Sequence, residues 1–346
     1  MITKIHYKNF KALRDATLPL GRFTLIVGAN GTGKTTAIRA LSQIDNVNQE
    51  SFVNYLTKGM MTEYDQIQIQ VFWEKFSVRR TISADQPPNN HILGENQKIL
   101  ILEDNHNSFI DFLGSTFEHI EEADALRRFK VFAFDAEKIS EATILKPNIE
   151  IESDGGNLAG VLWQIQSSEP EMFEELNAEL RRWFPEFDRV IFEIPEDGKV
   201  SFLLRTTFEK HKIKAKDLSD GTRLALAYLT IAYLPNPPKV VAFEEPERGV
   251  HPRLLRRIQD AMYRLAFPEN FAEKREPVQV IATTHSPYLL DLYKEHPEDI
   301  VISSKDENGV HFEKLSEMPN FKEIIQDAPL GEIWYSGILG GVPAQL

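Results

Sequence analysis

The chain has 346 residues, 42% of them hydrophobic, no cysteine, and a formal net charge of −13 from 52 acidic and 39 basic side chains. That length suits one large α/β domain or two small ones with a full core. The missing thiols exclude a disulfide scaffold, a thiolate zinc site and a cysteine nucleophile, and they suit a reducing cytosol. The acidic balance speaks against a surface that grips nucleic acid throughout, so DNA contact is expected to be local or to belong to a partner. No apolar run approaches the ~18 residues of a membrane span and no signal peptide is visible, so a cytoplasmic protein is expected.

Residues 1–19 alternate as an antiparallel strand pair, with Ile5, Tyr7, Phe10, Leu13 and Leu18 apolar. Phe23 to Val27 is an apolar strand, "GANGTGKTT" (28–36) a glycine-rich turn, and Thr36 to Ile44 a helix. "QIQIQVFW" and "FSVRRTIS" are two further strands, "DQPPNN" (85–90) a loop, and "QKILILED" (97–104) a strand. Phe117 to Arg128 is expected to be helical and "FKVFAFD" (129–135) a strand. Asn157 to Phe184 is expected to be helical, with a stripe at Leu158, Val161, Leu162, Ile165, Phe173, Leu176, Leu180 and Trp183 that reads most simply as core packing. "RVIFEI" and "KVSFLLRT" form a hairpin across 195–198. A helix from Gly221, a turn at "PNPP", the strand "KVVAF", a helix from Pro252 to Ala266 and the strand "VQVIATT" complete the order. There is no internal repeat and no sustained heptad pattern, so a long coiled-coil arm is not expected.

Gly28, Gly33, Lys34 and Thr35 fit G-x-x-x-x-G-K-[ST] at every fixed position, between a strand and a helix as that pattern requires. Gly28, Ala29, Asn30, Gly31, Thr32, Gly33, Lys34, Thr35 and Thr36 are therefore expected to hold the phosphates of a nucleoside triphosphate. The backbone N–H groups cradle the anion, Lys34 supplies charge for the β- and γ-phosphates, and the Thr35 hydroxyl is placed to ligate Mg²⁺. "LSDGT" (218–222) opens an apolar helix; on its own it is equally an ordinary N-cap through Ser219 or Asp220. "KVVAFEEPERGVHP" ends an apolar strand in Glu244 and Glu245, at the edge where ligands collect in open parallel sheets. Glu244 can hold Mg²⁺ through water, and Glu245 can orient and deprotonate an attacking water; the plain alternative is a solvated acidic turn. His285 ends the strand before "SPYLL", suited either to touch a γ-phosphate or to a structural hydrogen bond.

In this order the four motifs resemble the ABC-class P-loop ATPases of the RecF, OLD and SMC-like branch, over nearly the whole chain. "DGGNLAGVLWQI", "FEEPERGVHP", "TTHSPYLLD" and the tail "LGEIWYSGILGGVP" look like its compact, armless AAA_21-like predicted ATPases. The resemblance implies an α/β fold with a mixed, mainly parallel central sheet, an antiparallel β lobe and helical insertions. It implies a single ATPase domain over 1–346: an N-terminal β lobe with the phosphate loop (1–83), inserted strands and a helical lobe (84–216), and a half carrying the signature, acidic pair and switch histidine (217–346). Gly28 to Thr36 match the Walker A loop, and Ser219, Asp220 and Gly221 match the signature that acts in trans. Glu244 and Glu245 match the end of Walker B, with Glu245 as the catalytic base. His285 matches the switch histidine. Asp135 or Glu137, in "FAFDAEKIS", corresponds to the segment that reaches Mg²⁺ or the water. The sequence departs from the pattern at Glu244 for the usual aspartate, at Asp220 for a glycine, and at His251 for the D-loop aspartate.

Carried over, the resemblance implies ATP and Mg²⁺ as ligands and an ATP-dependent homodimer in which one subunit's signature faces the other's Walker A loop. It implies a role as the sensor or scaffold of an anti-phage or DNA-linked system, working with a nuclease or toxin partner. The stretch after His285 is too short for the nuclease domain that OLD proteins append. Two alternatives stand beside this: a RecF-like repair clamp that binds DNA directly, and a nucleotide switch with negligible turnover. The acidic balance disfavours the first and Glu245 the second; no membrane partner is expected.

Overall fold

In the computed structural model, described for residues 1–43, 66–73, 76–83, 89–94, 99–101, 129–194, 198–324 and 328–340, the early alternation becomes a hairpin. Strands β1 (Lys4–Phe10) and β2 (Leu13–Pro19) pair antiparallel from Lys4↔Pro19 to Phe10↔Leu13. Beside β1 lies β4 (Gln66–Phe72), and the sheet continues through β5 (Phe76–Ser83), β6 (Asn89–Gly94) and β7 (Ile99–Ile101) in the order β2-β1-β4-β5-β6-β7. Ile5, Tyr7, Leu18, Ile67, Ile69 and Val71 form its buried face, as period-2 alternation requires. The same core takes in Ala37, Ile38 and Ala40 of helix α1 (Lys34–Gln43). There the buried Tyr7 hydroxyl donates to Ala37 O at 3.0 Å.

The second sheet runs β16-β15-β3-β14-β13-β8. Its members are β3 (Phe23–Val27), β8 (Phe129–Phe132), β13 (Val240–Glu244), β14 (Gln279–Thr284), β15 (Ile300–Asp306) and β16 (Gly309–Lys314). Strands β15, β3, β14 and β13 are parallel, and β16 turns back antiparallel on β15. Every residue of β3 and β14 is buried, the mark of a parallel strand covered on both faces. Gln279 joins the start of β14 to the N-terminal segment, donating to Ile2 O at 2.7 Å and Gly21 O at 2.8 Å and accepting from Ile2 N at 3.0 Å. These two sheets belong to one compact unit, Met1–Val131 with Pro238–Glu244 and Gln279–Leu346.

A second unit comprises Phe132–Pro237 and Glu245–Val278. Its sheet holds β9 (Thr143–Ile144), β10 (Phe187–Glu193), β11 (Lys199–Thr206) and β12 (Lys212–Lys214), with β10 and β11 forming the expected hairpin. Its helices are α2 (Ala136–Ile139), α3 (Leu158–Ser168), α4 (Pro170–Trp183), α5 (Asp220–Ala232) and α6 (Pro252–Ala266). Helix α5 is buried all round from Thr222 to Ala232. Its last turn and that of α6 share one guanidinium: Arg275 donates to Ala232 O at 2.8 Å and to Arg264 O at 2.9 Å. Glu273 forms ion pairs with both Arg264 and Arg275.

Several expectations are corrected. The helix expected over 157–184 is two helices, because Pro170 forces Glu169 out of helical geometry (φ −134°, ψ 66°) and then starts α4 at its first turn. The eight-residue apolar stripe is nonetheless buried throughout. Asn89 and Asn90, expected in a loop, open β6 opposite Thr81 and Arg80. The strand expected over 129–135 stops at Phe132, since Asp135 turns to cap α2. Strands β15 and β16 extend the sheet beyond what was anticipated. The helix expected at 117–128 and residues 85–88 of the loop lie outside the described residues. Among the described residues, no helix is long and apolar enough to cross a membrane.

Candidate functional site

Three neighbouring parallel strands end level with one another. Val27 of β3 is opposite Thr284 of β14, and Thr283 is opposite both Ile26 and Glu244 of β13. The next residues along the chain after these ends are Gly28, His285 and Glu245. This carboxyl edge is where open α/β sheets bind ligands.

The 28–36 loop is built tightly against its surroundings. A Cβ on Gly28 would lie 2.4 Å from Ser303 O and 2.8 Å from Thr32 Oγ1. Gly33 has φ +88° and would meet Val310 at 3.0 Å and Leu13 at 3.2 Å, so both dihedral and space demand glycine there. The loop closes on itself through Thr32 Oγ1, which donates to Ala29 O at 2.9 Å. It is fastened to β15 by Ser303 Oγ, which donates to Thr32 O at 2.7 Å. Lys34 is buried, and its Nζ donates to Gly28 O at 2.6 Å and Ala29 O at 2.8 Å. A cation is thus held inside the loop, where phosphate oxygens would outcompete neutral carbonyls as charge-assisted acceptors. Asn30, Gly31 and Thr35 are exposed and Thr36 is half-buried, the latter two in the first turn of α1, whose partial positive charge favours anions.

Glu244 ends β13 with its side chain 13% exposed, in a two-pronged ion pair. Arg39 Nε donates to Oε1, and Nη2 donates to Oε2 at 2.6 Å. Glu245 has φ +46°, a left-handed conformation uncommon outside glycine that gathers at functional sites. His285 is exposed in the bend between β14 and helix α7 (Pro287–Asp291). Thr284 Oγ1 accepts from Ser286 N at 2.9 Å, and Ser286 Oγ caps α7 at Leu289 N. Thr35 and Glu244 offer oxygen donors of the kind a hard divalent cation takes, and the glycine cradle with its buried lysine fits a polyphosphate. ATP with Mg²⁺ fits the residues present.

In the second unit, Ser219 caps α5, accepting from Thr222 N at 3.2 Å and sharing a 2.7 Å hydrogen bond with Thr222 Oγ1. Arg223 Nη2 donates to Asp220 Oδ1 at 2.5 Å. A Cβ on Gly221 would lie 3.3 Å from Gly249 O, so the start of α5 abuts the loop that follows the acidic pair. His251 closes that loop as the cap of α6, its Nδ1 accepting from Arg253 N at 3.2 Å. Burial, reinforced by the Glu247 carboxylate, drives the Tyr228 hydroxyl far above its ordinary pKa. Asp135 Oδ1 accepts from Glu137 N at 2.8 Å and Lys138 N at 3.1 Å, so that oxygen is engaged as a helix cap. The structure brings the loop, Glu244 and His285 to one sheet edge, and Ser219, Asp220, Gly221 and His251 to one end of α5 and α6. Arg39 and Ser303 were not singled out in the sequence: each contacts its partner across 205 and 271 residues of chain.

The fold is that of solved SMC ATPase heads. An SMC head bound to the C-terminal winged-helix domain of ScpA superposes with a TM-score of 0.63 at 16% identity, over 93% of this chain and 99% of that one. The SMC head domain from Thermotoga maritima gives a TM-score of 0.48 at 15% identity, over 90% and 98%. An OLD nuclease of Thermus scotoductus is 50% identical over 44 residues, which are 13% of this chain and 8% of that protein. The model of the AAA_21 family, described as "AAA domain, putative AbiEii toxin, Type IV TA system", matches residues 23–291. The chain belongs to that family and is an ABC-type P-loop ATPase of the RecF, OLD and SMC-like branch.

Proposed function

We propose that the protein is a Mg²⁺-dependent ATP hydrolase that works as an ATP-gated dimeric clamp. The observation that carries this is the level ending of β3, β14 and β13, which gathers the lysine-filled loop, Glu244 and His285. Lys34 neutralises the β- and γ-phosphates, and His285 donates to the γ-phosphate. Glu245, which has a backbone φ of +46°, orients the attacking water and takes its proton. Thr35 and, through water, Glu244 would hold Mg²⁺, with Asp135 as a further candidate, and the bound ion would supply charge stabilisation at the transferring phosphoryl group.

Ser219, Asp220 and Gly221 serve the nucleotide of a second copy, where the start of α5 offers an anion site. A γ-phosphate bridging two subunits favours the closed dimer only by its differential affinity for it, at roughly 1.5–3 kcal/mol per charge-assisted hydrogen bond. The cell biology proposed is cytoplasmic: the sensor or scaffold of an anti-phage or DNA-linked system with a nuclease or toxin partner. The family's description and the OLD nuclease similarity support that reading. A second reading, a repair clamp that touches DNA itself, is favoured by one feature. Arg253, Arg256 and Arg257 share one side of α6 at i, i+3 and i+4, with Arg253 and Arg256 exposed.

The test mixes complementary lesions. Ser219→Arg blocks the anion site and Lys34→Ala removes the loop cation, so each chain alone is expected to be inactive. Heterodimers carry both lesions in one composite site and none in the other, and part of the ATPase should return. Activity of Ser219→Arg alone would overturn the clamp and leave "LSDGT" as a helix cap.

A further inference from the structure

Glu244 is nearly buried, and an unpaired carboxylate there would be costly. Both of its oxygens accept from Arg39. The two partners are unequal: the Arg39 side chain is 42% exposed against 13% for Glu244. Arg39 can therefore trade this contact for water at small cost, whereas Glu244 needs a cation. A second cation is close: burial and then the Arg39 charge lower the pKa of Lys11. A glutamate, one methylene longer than aspartate, carries its carboxylate farther from β13 toward α1, where Arg39 sits five residues after Lys34.

We propose that Arg39 is a positioning residue and resident counter-ion, which holds the Glu244 carboxylate in the nucleotide-free protein and yields it when Mg²⁺ and nucleotide bind. This rests on the ATPase reading above. The charge beside Glu244 stays balanced in both states, so the metal-binding end of β13 is kept formed before the metal arrives. The divalent cation competes with Arg39, and removing the competitor tightens the metal.

The experiment titrates Mg²⁺ against the full-length protein at saturating non-hydrolysable ATP analogue, reading the thermal shift, for the wild type, Arg39→Ala, Arg39→Lys and Glu244→Gln. Melting without nucleotide is recorded for each. Arg39→Ala should melt lower without nucleotide, yet need about fivefold less Mg²⁺ for half its shift, in line with a partly exposed bidentate pair. Arg39→Lys, a cation without the fork, should fall between. Adding Arg39→Ala to Glu244→Gln should change little, since the charge it serves is gone. A wild-type Mg²⁺-dependent shift, with Arg39→Ala and Arg39→Lys needing as much Mg²⁺ as the wild type or more, would overturn this proposal alone. A wild type with no Mg²⁺-dependent shift would overturn the ATPase reading and this proposal with it. Arg39→Lys serves as the folded variant if Arg39→Ala does not fold.

Discussion

Gly28→Ala separates two reasons for glycine within one loop. The added Cβ would stand 2.4 Å from Ser303 O, about 1 Å short of the 3.4 Å where ordinary contact begins, and 2.8 Å from Thr32 Oγ1. Neither neighbour yields cheaply. Ser303 is fully buried in β15, whose preceding residue Ile302 is paired with Val27 of β3. Thr32 Oγ1 is bonded to Ala29 O. Forcing such an overlap costs roughly 1–3 kcal/mol. Gly31→Ala meets nothing within 4 Å, but its φ is +81°, so its cost is roughly 1–2 kcal/mol of backbone strain, below the upper end expected for a 2.4 Å overlap with fixed backbone. Gly28→Ala should therefore be the less stable of the two in urea unfolding. It should also bind ATP more weakly, because the shifted Gly28 and Ala29 carbonyls are those that hold Lys34 Nζ. Each 1.4 kcal/mol passed on to the loop is about tenfold in affinity. A Gly28→Ala chain as stable and as tight as the wild type, or less affected than Gly31→Ala, would refute the steric reasoning.

Glu245→Gln should keep ATP-induced stabilisation and lose hydrolysis, accumulating a nucleotide-bound dimer visible by size-exclusion chromatography; wild-type turnover would move the base elsewhere, with Glu247 or Asp135 next. The hydrogen bonds from Arg205 and then Lys210 hold the Asp188 carboxyl well below its usual pKa. Its stabilising contribution is therefore full above the unfolded pKa of about 4 and is lost as pH falls through the folded value. Asp188→Asn should lower the melting temperature at pH 7 and still by most of that amount near pH 3, the effect fading only in stronger acid as pH falls through the folded value; an effect already gone near pH 3 would contradict this. The protein alone should bind duplex DNA weakly, since 52 acidic residues oppose 39 basic ones and non-specific affinity comes from phosphate neutralisation. Sub-micromolar binding with a steep salt slope, lost on Arg253→Ala/Arg256→Ala, would favour the repair-clamp reading.

The loop, the acidic pair and the strand before His285 were legible because each is written in consecutive residues, where spacing and local periodicity carry the signal. The sheet order was less so. The hairpin of β15 and β16 turns at Glu307–Asn308, with Gly309 opposite Asp306; the Asn308-Gly309 dipeptide is a turn signal, but it lies behind stronger apolar runs. The break at Glu169–Pro170 was masked in the same way, because an apolar stripe on the expected face continues through the proline. Arg39 and Ser303 were illegible for a deeper reason. An arginine in an amphipathic helix and a serine in a strand are ordinary there, and only the fold reveals that one reaches Glu244 and the other braces Thr32.

Arg275 gives α5 and α6 a mechanical property. The start of α5 abuts the loop that leads into α6, where a Cβ on Gly221 would lie 3.3 Å from Gly249 O, and the two helices are tied at their far ends by one guanidinium. Two elements joined at both ends cannot pivot separately; they transmit load as a single beam. A displacement of Ser219 at one end of α5 is then expected to be shared with His251 at the head of α6. Cutting the far tie with Arg275→Ala would leave Ser219, Asp220 and Gly221 untouched while loosening the two helices from one another.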